Sequence, residues 1–133
     1  MILKVIIYVC LAVGVLYYLF PIIQVVGDSM SPTYNDSEFL ICTRVFYKSK
    51  LKVGDVIVYH SPEGRIVIKR IEKILRDKVI FNKTLFNESD TYYFCVGDNL
   101  EHSHDSRVYG YISSKSIVCK VIDQRRNPNV CSN

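Results

Sequence analysis

The chain has 133 residues, of which 49% are apolar and 23% charged, and 17 basic against 13 acidic side chains leave a net charge of +4. That is room for one domain, too apolar for a disordered tail and too polar for a multi-span transporter. A nucleic-acid binder of this size would show a denser basic face than these interspersed acids allow, so nucleic acid is excluded as a partner.

The charge is unevenly placed, since residues 1–27 carry only Lys4. From Val5 to Ile23 run 19 residues without a charge. At 1.5 Å per residue they make about 28 Å of helix, close to the roughly 30 Å of a hydrocarbon core. The segment is apolar all round, which a buried helix of a small soluble domain would not be. A cleaved leader would end its apolar region after about 7–15 residues at a small-residue site. Ala12-Val13-Gly14 fits that poorly, because strongly apolar residues follow it. The segment reads as an uncleaved anchor that places the protein in membrane lipid, with residues 1–24 as the anchor. Lys4 and the amino terminus flank one end, while Asp28, Asp36 and Glu38 are the first charges past the other. Positive charge stays on the cytoplasmic side, so the rest of the chain is expected across the cell membrane, on its outer or periplasmic face.

Past the anchor the pattern is β. Runs rich in β-branched and aromatic residues cover 39–46, 55–59, 65–71, 78–81, 92–96 and 116–122, each bounded by turn formers. Ser61-Pro-Glu-Gly64 turns 55–71 into a hairpin. The expectation is a small, partly closed, mostly antiparallel β domain over 25–124 behind one transmembrane helix, with 125–133 as a tail.

Five cysteines show no Cys-x-x-Cys and no metal spacing, and no cofactor signature is present. Cys10 lies in the anchor. Cys42, Cys95, Cys119 and Cys131 allow three pairings that sequence cannot separate. The basic cluster Arg44, Lys48, Lys50 and Lys52 reads either as a solvated loop or as a contact to anionic lipid. Asn35, Asn82 and Asn87 head glycosylation-type triplets that also arise by chance.

Gly27-Asp28-Ser29-Met30-Ser31-Pro32-Thr33 is a constrained turn, and a serine there is either plain turn chemistry or an exposed nucleophile. A nucleophilic serine needs a base. His102 and His104 flank Ser103 on a polar stretch where a solvated loop is the default. Lys69 offers another solution. In an alternating strand it shares a face with Val67 and Ile71, away from Ile68 and Arg70. A lysine among apolar neighbours is unusual, and burial lowers its pKa toward that of a base. Reaching pH 7 from 10.4 corresponds to about 4–5 kcal/mol of lost ammonium stabilisation.

Four segments in this order resemble the type I signal peptidases, membrane-anchored serine/lysine proteases. They are Gly27 to Thr33, Gly54 to Tyr59, Lys69-Arg70-Ile71, and Gly97-Asp98-Asn99 with Ser103 to Gly110. The resemblance implies Ser29 as nucleophile, Lys69 as base, and Ser103 as the serine that hydrogen-bonds and orients that lysine. It further implies Met30 packed beneath the nucleophile and an Asp105–Arg107 ion pair bracing the closing segment. The substrates implied are signal peptides of exported preproteins, bound as an extended strand with small residues at the first and third positions before the cut.

Two departures stand out. Gly27 occupies the place where some members carry a serine that completes the oxyanion hole. After the base, Glu72 to Asp77 replaces the family's Gly-x-Pro-Gly-Asp turn, and the short span from Lys69 to Gly97 leaves no space for the inserted β domain of longer members. The chain reads as a minimal form. The alternatives are a dedicated relative that matures one substrate, such as a conjugation pilin, and a membrane-tethered adaptor without activity. A self-cleaving repressor would need a DNA-binding motif where the anchor lies.

Overall fold

The computed structural model describes residues 1–46, 48–76 and 90–128. An N-terminal helix, α1 (Ile2–Leu19), has no buried residue and is long and apolar enough to cross a membrane. It stops short of the expected Ile23. Pro21 disfavours helical geometry at Phe20, whose φ and ψ are −125° and 69°. The freed carbonyls are taken up at once by the β domain. Leu19 C=O accepts from Arg44 N–H at 2.9 Å and Pro21 C=O from Cys42 N–H at 2.9 Å. Ile22 and Ile23, read from the sequence as the end of the anchor, therefore belong to a strand.

That strand is β1 (Ile22–Gln24). It is followed by β2 (Phe39–Thr43), β3 (Val56–His60), β4 (Ile66–Leu75), β5 (Tyr92–Val96), a one-turn helix α2 (Ser106–Tyr109), β6 (Ile112–Ser113) and β7 (Ile117–Val121). All pair antiparallel in one open sheet of order β1-β2-β7-β3-β4-β5-β6. The fold is the expected small antiparallel β domain behind one helix, with edges at β1 and β6 rather than closure. The 55–71 hairpin forms with its turn at Ser61–Gly64, where Gly64 takes φ 80°. The strand expected at 78–81 lies outside the described residues.

Both faces of the sheet are covered around β3, so four of its five residues are buried. Val56 and Val58 pack with Val25, Met30, Tyr34, Leu40, Cys42, Cys119 and Val121. Ile57 and Tyr59 pack on the other side with Leu51, Ile71, Tyr93, Cys95, Ile112 and Ile117. A register shift between Val58 and Tyr59 lets Cys119 and Ile117, two apart on β7, reach opposite clusters. The cysteines are thus sorted: Cys42 and Cys119 share one cluster, Cys95 lies in the other, and Cys131 is outside the described residues. All three buried thiols are free. The chain does not loosen at Gln124, whose side-chain amide accepts from Val56 N–H at 2.6 Å and donates to Val56 C=O at 3.1 Å, as a strand partner would.

Candidate active site

The turn that carries Ser29 leaves β1 through Val25, whose N–H donates to Glu38 C=O at 2.8 Å. Gly27 takes φ 82°, where a side chain would be strained, and its N–H donates to Asp36 Oδ1 at 2.7 Å. Ser31 N–H then bonds Asp28 C=O at 3.0 Å, closing the turn around Ser29. Met30 is fully buried in the cluster below, so it fixes the turn to the core and leaves Ser29 half-buried at the surface.

Lys69 reaches this serine from β4. It pairs with Ile57 across the sheet and stands between Val67 and Ile71, both of which pack with the second cluster. Lys69 is 3% exposed, and its Nζ lies 2.6 Å from Ser29 Oγ. Burial is the main force on its pKa and lowers it to about 8; the Asp105 carboxylate pulls the other way, and the Arg107 guanidinium adds to the lowering. A lysine of that pKa is neutral for a usable fraction of the time near neutrality, and only then can its lone pair accept a proton.

Asp105 is wholly buried and collects the closing segment. One oxygen accepts from Ser103 Oγ at 2.6 Å, Gly97 N–H at 2.9 Å and Arg107 Nη2 at 3.0 Å. The other accepts from the Arg107 backbone N–H at 3.1 Å and from its Nε at 2.9 Å. Burial alone would raise the Asp105 pKa, but these donors outweigh it and hold the carboxyl at about 2. The Asp105–Arg107 pair thus forms. Ser103 differs from expectation: its hydroxyl donates to Asp105 and not to Lys69, because a buried carboxylate two residues away is the stronger acceptor.

Several residues that sequence reasoning passed over tie these pieces together. Arg70, next to Lys69, forks onto Asp98 at 2.8 and 2.6 Å and donates to Gly54 C=O at 2.8 Å, joining three of the four segments. Asn99 N–H donates to Ser29 C=O at 3.0 Å. Ser106 Oγ accepts from Cys95 N–H at 3.0 Å, which seats α2 on β5. The opposite charges of Arg70 and Asp98, each next to a residue of the resembling segments, were the signal in the sequence that could have suggested this ion pair.

Ser29 and Lys69 lie where two halves of a cleft meet. An apolar half of about 190 Å³ is walled by Ile23, Gln24, Val26, Val58, Ile66 and Ile68, the last of them directly before Lys69. A polar half of about 240 Å³ is walled by Asp28, Ser61, Glu63, Arg65, His102, His104 and Tyr109. His104 Nε2 sits 2.7 Å from Glu63 Oε1, so this imidazole is engaged across the cleft while Lys69 holds the serine.

Comparison with known proteins matches residues 1–88 and 88–123 to the family model described as signal peptidase, peptidase S26. The chain is similar to mitochondrial inner membrane protease subunit 1 of Schizosaccharomyces pombe, 34% identical over 79% of this chain and 73% of that protein. It is similar to a protein named probable signal peptidase I-1 of Synechocystis, 26% identical over 69% of this chain and 64% of that protein. Signal peptidase IB of Staphylococcus aureus is 28% identical over 71% of this chain and 72% of its own length. The chain therefore spans 64% to 73% of the length of these relatives. With the family model covering nearly the whole chain, and the four ordered segments meeting at one cleft, the chain belongs to the signal peptidase family, peptidase S26.

Proposed function

We propose that this protein is a membrane-bound serine endopeptidase that cuts N-terminal signal peptides from exported preproteins, with Ser29 as nucleophile and Lys69 as general base. The observation that carries the reading is the 2.6 Å approach of a buried lysine to a serine in a constrained turn. Neutral Lys69 takes the Ser29 proton as Oγ attacks the scissile carbonyl, and the resulting ammonium protonates the leaving amine. Water then attacks the acyl carbonyl while giving a proton to Lys69, and Lys69 returns that proton to Ser29 Oγ as the bond to the acyl group breaks and the carboxylic acid leaves. Ser29 N–H supplies one oxyanion donor. Gly27 N–H is committed to Asp36, so the second donor comes from elsewhere in the cleft. Met30, Ser103, Asp105 and Arg107 act as supports: Met30 from below, and the other three through the buried carboxylate that biases Lys69.

The apolar half of the cleft suits small side chains before the cut, with the substrate strand lying between the exit of β1 and the start of β4. Backbone pairing of that kind reads many sequences. Membrane location is supported by α1 and by a row of half-exposed isoleucines, Ile22 on β1, Ile41 on β2 and Ile122 just past β7, beginning three residues after the helix. On this reading the amino terminus is cytoplasmic and the β domain lies on the outer face. A dedicated maturation peptidase of the same family is the second reading, favoured by the charged polar half of the cleft, which offers one substrate more to grip than a general enzyme needs. Incubating the detergent-solubilised protein with a panel of preproteins and mapping cut sites by mass spectrometry tests both. A single cut after small residues in many preproteins fits the first reading, a cut in one fits the second, and none revives a non-enzymatic adaptor.

A further inference from the structure

The turn that presents Ser29 is clasped from two directions. Asn99 holds the Ser29 carbonyl from the closing segment. The opposite clasp comes from the far end of the chain, in residues read from the sequence as the start of a tail. We propose that Arg125 is a positioning residue for Ser29, fastening the nucleophile turn through Thr33, Tyr34 and Glu38; this rests on the reading of Ser29 as the nucleophile.

Arg125 makes directed contacts with nearly every group it carries. Its backbone N–H donates to the Tyr34 hydroxyl at 3.0 Å, and that hydroxyl donates to Asp123 C=O. Its Nη1 donates to Thr33 C=O at 3.3 Å, and its guanidinium lies 5.1 Å from the centre of the Tyr34 ring. Its Nη2 pairs with Glu38 at 2.6 Å and its Nε with Asp123 at 2.7 Å. Only a planar fork can meet a carbonyl and two carboxylates at once while stacking on a ring.

Each of these partners leads back to Ser29. Tyr34 is fully buried, and its N–H bonds the carbonyl of Met30, the residue after the nucleophile. Glu38 accepts Asn35 N–H on its other oxygen at 3.1 Å, and its carbonyl holds Val25, the residue through which β1 enters the turn. Arg125 therefore grips both sides of the loop that carries Ser29. The loop also holds the one buried side-chain oxygen without a partner among the described residues, Thr33 Oγ1, so its own hydrogen bonding is incomplete. A turn of that kind depends on an external clasp for its position. Lys69 is set by other groups: burial, Asp105, Arg107 and Asp98. The two functions, placing the nucleophile and tuning the base, are thus separable.

The test compares full-length wild type, Arg125→Ala and Arg125→Lys in detergent, with Lys115→Ala as a control that removes a surface ion pair to Asp90. For a peptide cut by the wild type, Arg125→Ala should lower kcat by about 10- to 100-fold with KM changed by less than about threefold. Its pH–rate profile should keep the wild-type acid limb, because the base is untouched. Arg125→Lys should recover part of the loss, and Lys115→Ala should lose nothing. Amide hydrogen exchange should quicken over residues 30–34 in Arg125→Ala and stay unchanged in β3 and β4. Wild-type kcat in Arg125→Ala, a shifted acid limb, or unchanged protection at 30–34 would each overturn the clasp. Should Arg125→Ala unfold, Arg125→Lys carries the same comparison, since it keeps a charge toward Glu38 but cannot fork. If wild type and Ser29→Ala are equally inactive while protection at 30–34 still drops in Arg125→Ala, the clasp stands and the peptidase reading falls.

Discussion

Gly97 and Ser29 touch backbone to backbone: a Cβ placed on Gly97 would stand 2.4 Å from the Ser29 carbonyl oxygen and 2.2 Å from Ser103 Oγ. The end of β5 is therefore the floor on which the nucleophile turn and the closing segment both rest. Rotating the Ser103 hydroxyl would not relieve the crowding, since the Ser103 Cβ would also stand 2.6 Å away, so both the closing segment and the turn would have to move. Gly97→Ala should destabilise the fold by about 1–3 kcal/mol, the usual cost of overpacking, and should cut activity far more than that loss accounts for. A thermal melt beside peptide cleavage at a temperature where the variant is folded measures both. Near wild-type cleavage would show that the turn is not held at this floor.

The paired roles of Ser29 and Lys69 predict that Ser29→Ala and Lys69→Ala each abolish cleavage, and that the double variant is no worse than the worse single one. Lys69→Arg should also be inactive, because a guanidinium keeps its proton. Activity should rise with pH along a limb centred near 8, as Lys69 becomes neutral. The same shift has a stability consequence. The folded pKa lies below the unfolded 10.5, so the buried lysine weakens the fold as pH falls from about 10.5 to about 8, and the full penalty persists below that. Lys69→Met should therefore be inactive yet more stable at neutral pH by up to about 3 kcal/mol, the gain fading as pH rises from about 8 to about 10.5. Denaturant titrations at pH 7 and pH 10.5 check the sign.

Much of this arrangement is legible in the chain. Alternation along β4 places Lys69 with Val67 and Ile71 and by itself predicts its burial. Tyr92–Val96 reads as a strand and is one. What composition hides is where one apolar segment ends and another begins. Ile22 and Ile23 suit lipid as well as a sheet, and only the geometry Pro21 imposes on Phe20 separates the two. The two-residue β6 is too short to show a period. The partner of Ser103 is hidden for another reason. Ser103, Asp105 and Ser106 crowd donors and acceptors together, and which of them meet depends on burial, not on spacing. Arg125 is the extreme case, since its partners on the Ser29 loop lie 87 to 92 positions away, and no local pattern announces a contact of that kind.

Asp105 gives a separate handle on the base. Its charge favours protonated Lys69, so Asp105→Asn should move the acid limb of the pH–rate profile to lower pH, even if kcat falls. It should also change stability with a defined sign. The carboxyl pKa is held at about 2, below the ordinary 3.8, so its contribution is complete above pH 3.8 and lost as pH falls toward 2. Asp105→Asn should cost about 2 kcal/mol at neutral pH and flatten the acid dependence. A limb that stays in place or moves to higher pH would show that Asp105 does not raise the Lys69 pKa.

The junction of helix and sheet makes the last prediction. Since β1 pairs Ile22 with Ile41, Ile23 with Leu40 and Gln24 with Phe39, and Ile23 and Gln24 wall the apolar half of the cleft, residues 22–24 belong to the catalytic unit. A chain starting at Pro21 should therefore cut a soluble peptide in detergent, whereas one starting at Val25 should not, for want of a cleft wall. Neither should process membrane-inserted preproteins well. Ser29 lies ten residues past the end of α1, which limits it to about 35 Å from the helix end even in a fully extended chain. A signal peptide is cut just past its own apolar segment, so the anchored enzyme and its substrate meet at one depth. Loss of α1 removes that alignment and leaves the chemistry intact. On the proposed export function the β domain lies on the outer face, so a membrane-impermeant protease added outside should reach it and one added to the cytoplasm should not. Efficient processing of inserted preproteins by the Pro21 chain would show that α1 only tethers, and digestion of the β domain from the cytoplasm would reverse the orientation.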